Sequence, residues 1–136
     1  MAQNSRPRIS NGSSGARNFT WDQLFDAEKT ALGDDSDIVN YLRGDQSKEV
    51  LKGGKYRNRS SVLGDLVNSS PELVGQPIDM SYHRFNWDGA SDYRSFLGDS
   101  AVKSRAPMIY VGGNDGMLHG FNSETGVEVF AFIPAA

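Results

Sequence analysis

The 136-residue sequence predicts a mainly β fold with a small helical lead-in, organised as a partial β-propeller of one to two blades. The first observation is that residues 108–132 form three short strand-like runs separated by two turns. The runs 108–112, 117–121 and 127–132 are apolar at nearly every position. Strands of a sheet with one solvent-exposed face would instead alternate between apolar and polar residues. The second observation is length, because a closed propeller needs about four or more blades of four strands. We therefore expect either part of a larger β-rich protein or an open fragment with exposed strand edges.

Glycines define the two turns of this stretch. Residues 113–116, Gly-Asn-Asp-Gly, match a hairpin turn in which glycine supplies the positive φ of a tight loop. Residues 122–126 form the second turn, with Gly126 as the expected left-handed residue. Strands of this length joined by such turns are typical of a single propeller blade.

The same stretch resembles one blade repeat of the quinoprotein-like β-propellers. Its version here, with Asn-Asp-Gly-Met-Leu-His at 114–119 and Phe-Ala-Phe-Ile-Pro at 130–134, resembles the PilC/PilY family of type IV pilus assembly and tip-adhesin proteins. Segments 39–45 and 57–71 support the narrower match, because they follow in the order and at the spacing of that family. The chain is thus similar to the N-terminal part of the family's propeller domain.

The resemblance implies a non-enzymatic role in pilus assembly, twitching motility and surface adhesion. It implies pilus components (pilins and minor pilins) and host or abiotic surfaces as partners. It also implies a location at the outer membrane, the pilus tip or the cell surface. Residues 1–18 are polar and contain no secretory signal peptide, so the family's export signal would have to lie upstream.

Three segments are expected along the chain. They are a disordered lead-in at 1–18, a short helical hairpin with a basic loop at 19–60, and the start of the propeller at 61–136, which contains strands within 61–75, an insertion at 76–105 and the blade at 108–132.

Capping signals define the two helices of the hairpin. The first is expected to begin at Thr20 as N-cap and to end at Gly33. The second begins after Asp34 or Asp35 and ends at Gly44. The apolar residues expected to be buried are Trp21, Leu24, Phe25 and Leu32 on the first helix, and Ile38, Tyr41 and Leu42 on the second.

Composition excludes several classes of protein. The net charge of −3 argues against a nucleic-acid partner, since such domains usually carry a basic surplus. There is no cysteine, and therefore no disulfide framework or thiolate site. No apolar run is long enough for a transmembrane helix.

We assign no catalytic, cofactor-binding or metal-binding residue. The resemblance implies possible calcium binding in the full-length family member through an Asp-rich loop in a later blade, whereas 114–116 and 35–37 here each hold only part of such a loop. Residues 53–55 lack the spacing of a P-loop, and 98–100, Gly-Asp-Ser, match a serine esterase motif by coincidence. His119 is interpreted as a packed, hydrogen-bonded strand histidine.

Two further interpretations concern packing. Asp65 lies in an apolar run, so we expect it to be buried and paired within a strand at 61–67. The aromatic loop at 76–92 would form either an adhesive surface or, as we favour, a cover for the sheet edge. The last strand is expected to leave an unpaired apolar edge, which would make the isolated chain unstable or prone to associate.

Two other functions share the repeat. A quinone-cofactor (PQQ-type) dehydrogenase would need a central cluster of cofactor ligands, which this sequence does not supply. A propeller scaffold of outer-membrane assembly would show blade repeats from near its N-terminus, and the Arg-Asn-Arg-Ser-Ser stretch at 57–61 argues against it.

Overall fold

The computed structural model describes residues 8–10 and 15–134. Within these ranges the chain forms six strands and four α-helices. The strands are β1 Arg8–Ser10, β2 Ala16–Asn18, β3 Glu72–Val74, β4 Met108–Gly112, β5 Leu118–Asn122 and β6 Glu128–Ile133, and the helices are α1 Asp26–Ala31, α2 Ser36–Leu42, α3 Ala90–Gly98 and α4 Ser100–Ser104.

The six strands form one sheet in the order β2-β1-β6-β5-β4-β3. Strands β3 to β6 follow one another as an antiparallel meander, which is the four-stranded unit of a propeller blade. The three strands predicted at 108–132 are confirmed, and β3 supplies the fourth. Gly116 and Gly126 have φ of 82° and 68°, so both turns use the left-handed glycine that the sequence predicts.

The lead-in is more ordered than the prediction of a disordered segment at 1–18. Strand β1 pairs with β2 and runs parallel to the end of β6, with Arg8 opposite Phe132 and Ile9 opposite Ile133. The physical reason is that the outer edge of β6 offers unpaired backbone groups to any neighbouring extended segment. The edge expected to be unpaired is therefore covered at its C-terminal end. Residues 1–7 and 11–14 lie outside the described residues.

The predicted strand at 61–67 is wrong, and only β3 forms in this region. Gly64 lies so close to the β4–β5 turn that an added Cβ would be 2.7 Å from the Asp115 backbone nitrogen. The Asp65 carbonyl accepts a hydrogen bond from Asn114 N–H at 3.0 Å. The segment follows this turn rather than a strand ladder, and the Asp65 side chain is exposed rather than buried.

The first helix begins later than predicted. A single 3₁₀ turn spans Trp21–Gln23, Thr20 makes no side-chain capping bond, and α1 starts only at Asp26. Glu28 caps this helix instead, since its carboxylate accepts from the Phe25 N–H at 2.7 Å. Phe25 is the N-cap residue, so it lies outside the helix, and its side chain is exposed, contrary to the prediction.

The second helix has the predicted cap, because the Asp35 carboxylate accepts from the Asp37 N–H at 3.2 Å. Its most buried residue is Val39, which is 1% exposed. The sequence analysis predicted Ile38, Tyr41 and Leu42 as the buried residues and did not include Val39. Val39 forms a small core with Phe19 and Leu24. Ile133 of β6 packs against this core, so the helical hairpin lies on the blade.

No helix in the described part of the chain is long and apolar enough to cross a membrane.

Candidate functional site

A 33-residue insertion, 75–107, separates β3 from β4 and carries α3 and α4. The Tyr93 hydroxyl of α3 fixes its loop by two hydrogen bonds. It accepts from the Met80 N–H at 2.8 Å and donates to the Ile78 carbonyl at 3.1 Å. The loop is therefore held in one conformation by a side chain from the following helix.

Aromatic rings of the insertion stack on one another. The Phe85 and Trp87 rings lie 4.5 Å apart and nearly parallel, with an interplanar angle of 12°. Tyr82 lies 5.8 Å from Trp87 and 5.2 Å from Tyr93. Such offset contacts stabilise the arrangement beyond the area they bury. The insertion thus builds a small aromatic layer of its own.

This layer faces solvent. Trp87 is 58% exposed and Phe85 is 49% exposed. Exposed apolar side chains that lie together are a general feature of protein interaction sites. We call it the aromatic patch, and its members are Ile78, Met80, Tyr82, Phe85, Trp87 and Phe96. The rings contact one another within the insertion, and the favoured expectation that they cover the sheet edge stays a prediction.

A second feature is a buried polar cluster on the blade. His119 is 4% exposed and binds carboxylates through both ring nitrogens. Nδ1 lies 2.6 Å from Glu128 Oε1, and Nε2 lies 3.0 Å from Asp115 Oδ2. A register shift next to Gly120 pairs Phe121 with Glu128, and this bulge turns Glu128 towards His119. The interpretation of His119 as a packed, hydrogen-bonded histidine is confirmed.

The carboxylates set the charge of this histidine. The hydrogen bond with Glu128 raises the His119 pKa most, burial lowers it, and the Asp115 hydrogen bond and the two negative charges raise it further. The net direction is upward from the ordinary value of 6.5. An imidazolium with a proton on each nitrogen donates to both carboxylates and leaves no ring nitrogen free.

We expect the melting temperature to fall as pH rises above 6.5, the ordinary pKa of an unfolded-state histidine. The folded pKa is raised, so the stabilisation is complete below the unfolded value and disappears as pH passes through the folded value. Glu128→Gln removes the largest cause and should move this fall to lower pH. Thermal melts across the neutral range and NMR titration of the ring protons measure both effects. An unchanged slope in a His119→Gln variant would contradict the assignment.

A third feature is the set of Arg59 contacts that hold the basic loop in place. Arg59 Nε lies 3.0 Å from Glu49 Oε1, and the guanidinium also donates to the Tyr41 carbonyl at 2.8 Å and the Asp45 carbonyl at 3.0 Å. Its Cζ lies 3.7 Å from the centre of the Tyr41 ring. Arg59 thus joins one carboxylate and two backbone carbonyls of the neighbouring chain.

The Glu49 carboxylate is charged. Burial raises its pKa, but the hydrogen bonds and positive charge of Arg59, together with a hydrogen bond from Gln46, outweigh that effect and hold the pKa below its ordinary range. The sequence analysis did not identify Glu49 as the partner of Arg59 or Glu128 as the partner of His119. Each glutamate stands beside apolar residues in the sequence, but this position does not indicate which side chain it contacts.

The acidic side chains of the motifs considered for metal binding or catalysis form hydrogen bonds and ion pairs with other groups of this chain. Asp115 also accepts from the Gly64 and Met117 N–H groups at 3.0 and 3.1 Å, and Asp35 binds Lys55 Nζ at 2.7 Å. Asp99 caps α4 by accepting from the Ala101 N–H at 2.7 Å. In the described ranges, no three His, Asp or Glu side chains are placed to hold a metal ion.

The four-stranded antiparallel meander with a helical layer on one face defines the chain as a propeller-blade domain. The family model described as the PilY1 beta-propeller domain matches residues 63–136. The chain belongs to this PilY1 family, as the sequence resemblance indicated.

Relatives with curated names agree with this membership. A type IV pilus biogenesis factor PilY1 homolog from Xylella fastidiosa (strain Temecula1) is 51% identical over 98 residues, covering 72% of this chain and 8% of that protein. The type IV pilus biogenesis factor PilY1 of Pseudomonas aeruginosa (strain PAK) is 42% identical over 136 residues, covering 92% of this chain and 11% of that protein. The chain therefore spans about a tenth of the length of these relatives. No solved structure matches it.

Proposed function

We propose that this chain is the N-terminal part of the propeller in a type IV pilus biogenesis and tip-adhesin protein, where it supports pilus assembly, twitching motility and surface adhesion without catalysis. Its partners are pilins and minor pilins together with host or abiotic surfaces. The place of action is the cell surface, at the outer membrane or the pilus tip. The support is family membership with relatives named as pilus biogenesis factors.

The observation that carries the proposal is the aromatic patch. Enzyme sites bring titratable groups together in a concave pocket, whereas this insertion presents stacked, exposed aromatic rings. Exposed aromatic residues are enriched where proteins bind one another. The proposal assigns no cofactor to this chain, and any calcium site of the family belongs to other parts of the longer protein.

Replacing Phe85 and Trp87 by serine in the natural gene tests this role. Both rings lie on the surface, so we expect the melting temperature and the protein level to stay close to wild type. Surface piliation and twitching should fall several-fold, because the centre of an interface carries most of its binding energy.

The matched control is Leu51→Ser, since Leu51 is 85% exposed but lies in the basic loop, away from the insertion. This control should retain normal pili and motility. Normal piliation in the Phe85 and Trp87 double variant, with the protein present at wild-type level, would refute a role of the patch in assembly.

A further inference from the structure

Segment 57–65 forms no helix or strand, yet it is held at both ends. At its start, the Tyr41 hydroxyl donates to the Arg57 carbonyl at 3.1 Å. At its end, the Asn114 N–H donates to the Asp65 carbonyl at 3.0 Å. The segment is therefore fixed against helix α2 on one side and against the β4–β5 turn on the other.

A cleft of about 450 Å³ lies between this segment, the end of α2 and the β4–β5 turn. Helix α2 contributes Tyr41 and Leu42, the turn contributes Asn114 and Asp115, and segment 57–65 forms the remaining wall. The volume falls within the roughly 300–1,000 Å³ of sites for small ligands. No member of the aromatic patch lines this cleft, so the two surfaces are separate.

The charged side chains of the cleft balance one another. Four of them line it, namely Arg57, Arg59, Asp65 and Asp115. Arg59 is paired with Glu49, and Asp115 is paired with His119. Arg57 and Asp65 are exposed, and within the described ranges they form hydrogen bonds through their backbone carbonyls only. One positive and one negative charge thus remain for a ligand, which favours a ligand without net charge.

The neutral polar side chains of the wall are already oriented. Asn58 Oδ1 accepts from the Leu51 N–H at 2.9 Å, so the amide NH₂ of Asn58 is left to donate. Ser61 Oγ accepts from the Leu63 N–H at 3.3 Å, so the Ser61 hydroxyl keeps its hydrogen for a further bond. Donors whose positions are set before binding lose little freedom when a ligand arrives.

The lining therefore combines donors with an acceptor, the Asp65 carboxylate. An alcohol group both donates and accepts, so a ligand rich in hydroxyl groups can bond to every one of these side chains. Such bonds are needed, because polar groups that lose water on binding must find new partners. Val62 and Leu63 are half-buried in the same wall and offer apolar contact beside the polar groups.

The shape of the wall argues against an extended peptide. A peptide that adds a strand needs a straight row of backbone groups with which to pair. The backbone of this segment bends at Ser60 and again at 62–63, so it does not provide such a row. A compact ligand fits the curved wall better.

We propose that this cleft binds a neutral saccharide. Arg57, Asn58 and Ser61 donate to its hydroxyl oxygens, and the Asp65 carboxylate accepts from its hydroxyl groups. The C–H surface of a sugar ring contacts Val62 and Leu63. The inference goes beyond the role proposed for the aromatic patch and does not depend on it.

Saturation-transfer NMR on the gene product as the cell makes it tests the site. The probes are three neutral disaccharides, lactose, maltose and N,N′-diacetylchitobiose. We expect at least one of them to bind, and Arg57→Ala and Asp65→Ala each to weaken its binding roughly tenfold, because each variant removes a hydrogen bond to a charged group. Ser60→Trp places a large ring in the cleft and should abolish the signal.

The matched control is Lys52→Ala, which removes an exposed cation of the same loop that does not line the cleft. This variant should bind the probe as wild type does. The double variant with Phe85 and Trp87 replaced by serine should also bind normally, which separates the cleft from the aromatic patch. Melting curves check each variant, and the remaining cleft variants carry the test if one of them fails to fold.

Three results would overturn the proposal. The first is no saturation transfer to any of the three disaccharides. The second is binding that is unchanged in the Arg57, Asp65 and Ser60 variants or lost in the aromatic-patch variant, because the saccharide would then occupy another site. The third is displacement of the bound disaccharide by inorganic phosphate or by acetyl-tetra-alanine amide, which would show that the cleft takes an anion or a peptide instead.

Discussion

Arg59→Ala is expected to lower the melting temperature by about 10 °C or more. The substitution removes the partner of a buried carboxylate, Glu49, and two hydrogen bonds to backbone carbonyls. It also removes the guanidinium that stacks on Tyr41. Breaking one side of a buried ion pair costs more than the pair contributes, because the remaining charge stays in a site that excludes water.

The control is Arg57→Ala, whose side chain is exposed on the same loop and should change the melting temperature little. Arg59→Lys should recover only part of the stability, since an ammonium cannot donate in three directions with the geometry of a guanidinium. The double change Glu49→Met with Arg59→Met should cost less than Arg59→Ala alone. If the Arg59→Ala variant melts like wild type, then the contacts of Arg59 do not stabilise the fold.

Gly54→Ala is expected to destabilise the chain by roughly 3 kcal/mol, towards the upper end of the range for overpacking. The added Cβ would lie 1.9 Å from the Lys48 carbonyl oxygen and 2.1 Å from the Lys48 carbonyl carbon. These are backbone atoms, and the same carbonyl accepts from the Tyr56 N–H at 3.0 Å. The loop can relieve the clash only by opening the bridge between Glu49 and Tyr56.

Gly75→Ala is the matched control for this change. An added Cβ at Gly75 would meet nothing within 4 Å, and its φ is not in the left-handed region. Chemical denaturation should show this variant at or slightly above wild-type stability, because alanine reduces the freedom of the unfolded chain. Equal midpoints for the two glycine variants would mean that the close approach at Lys48 does not limit the fold.

Local signals account for the parts of the fold that the sequence predicts correctly. The three blade strands follow from apolar runs between Gly113–Gly116 and the turn ending at Gly126, and both signals act over a few residues. The Asp35 cap of the second helix is equally local. Features of this kind can be predicted because cause and effect lie within one turn of the chain.

Long-range contacts account for what was missed. Gly64 abuts Asp115 about fifty positions away, and this contact keeps 61–67 out of a strand. Glu128 reaches His119 only because a bulge shifts the register of β6. Val39 is buried because Phe19 and Leu24 meet it, and neither contact shows in helical periodicity. The aromatic residues of the patch can be recognised in the sequence, but their exposure depends on the hydrogen bonds by which Tyr93 holds the loop.

The parallel pairing of β1 with β6 has a consequence for how the chain is made. Arg8 and Phe132 are about 120 positions apart, so their backbone bonds form only after nearly the whole stretch has been synthesised. At roughly 5–20 residues per second, β1 waits on the order of 6–25 s for its partner. Throughout that interval the β1–β2 hairpin has no β6 strand to pair with, and an isolated two-stranded hairpin is only marginally stable in water. The segment is thus unpaired with the blade during synthesis, and it completes the sheet last.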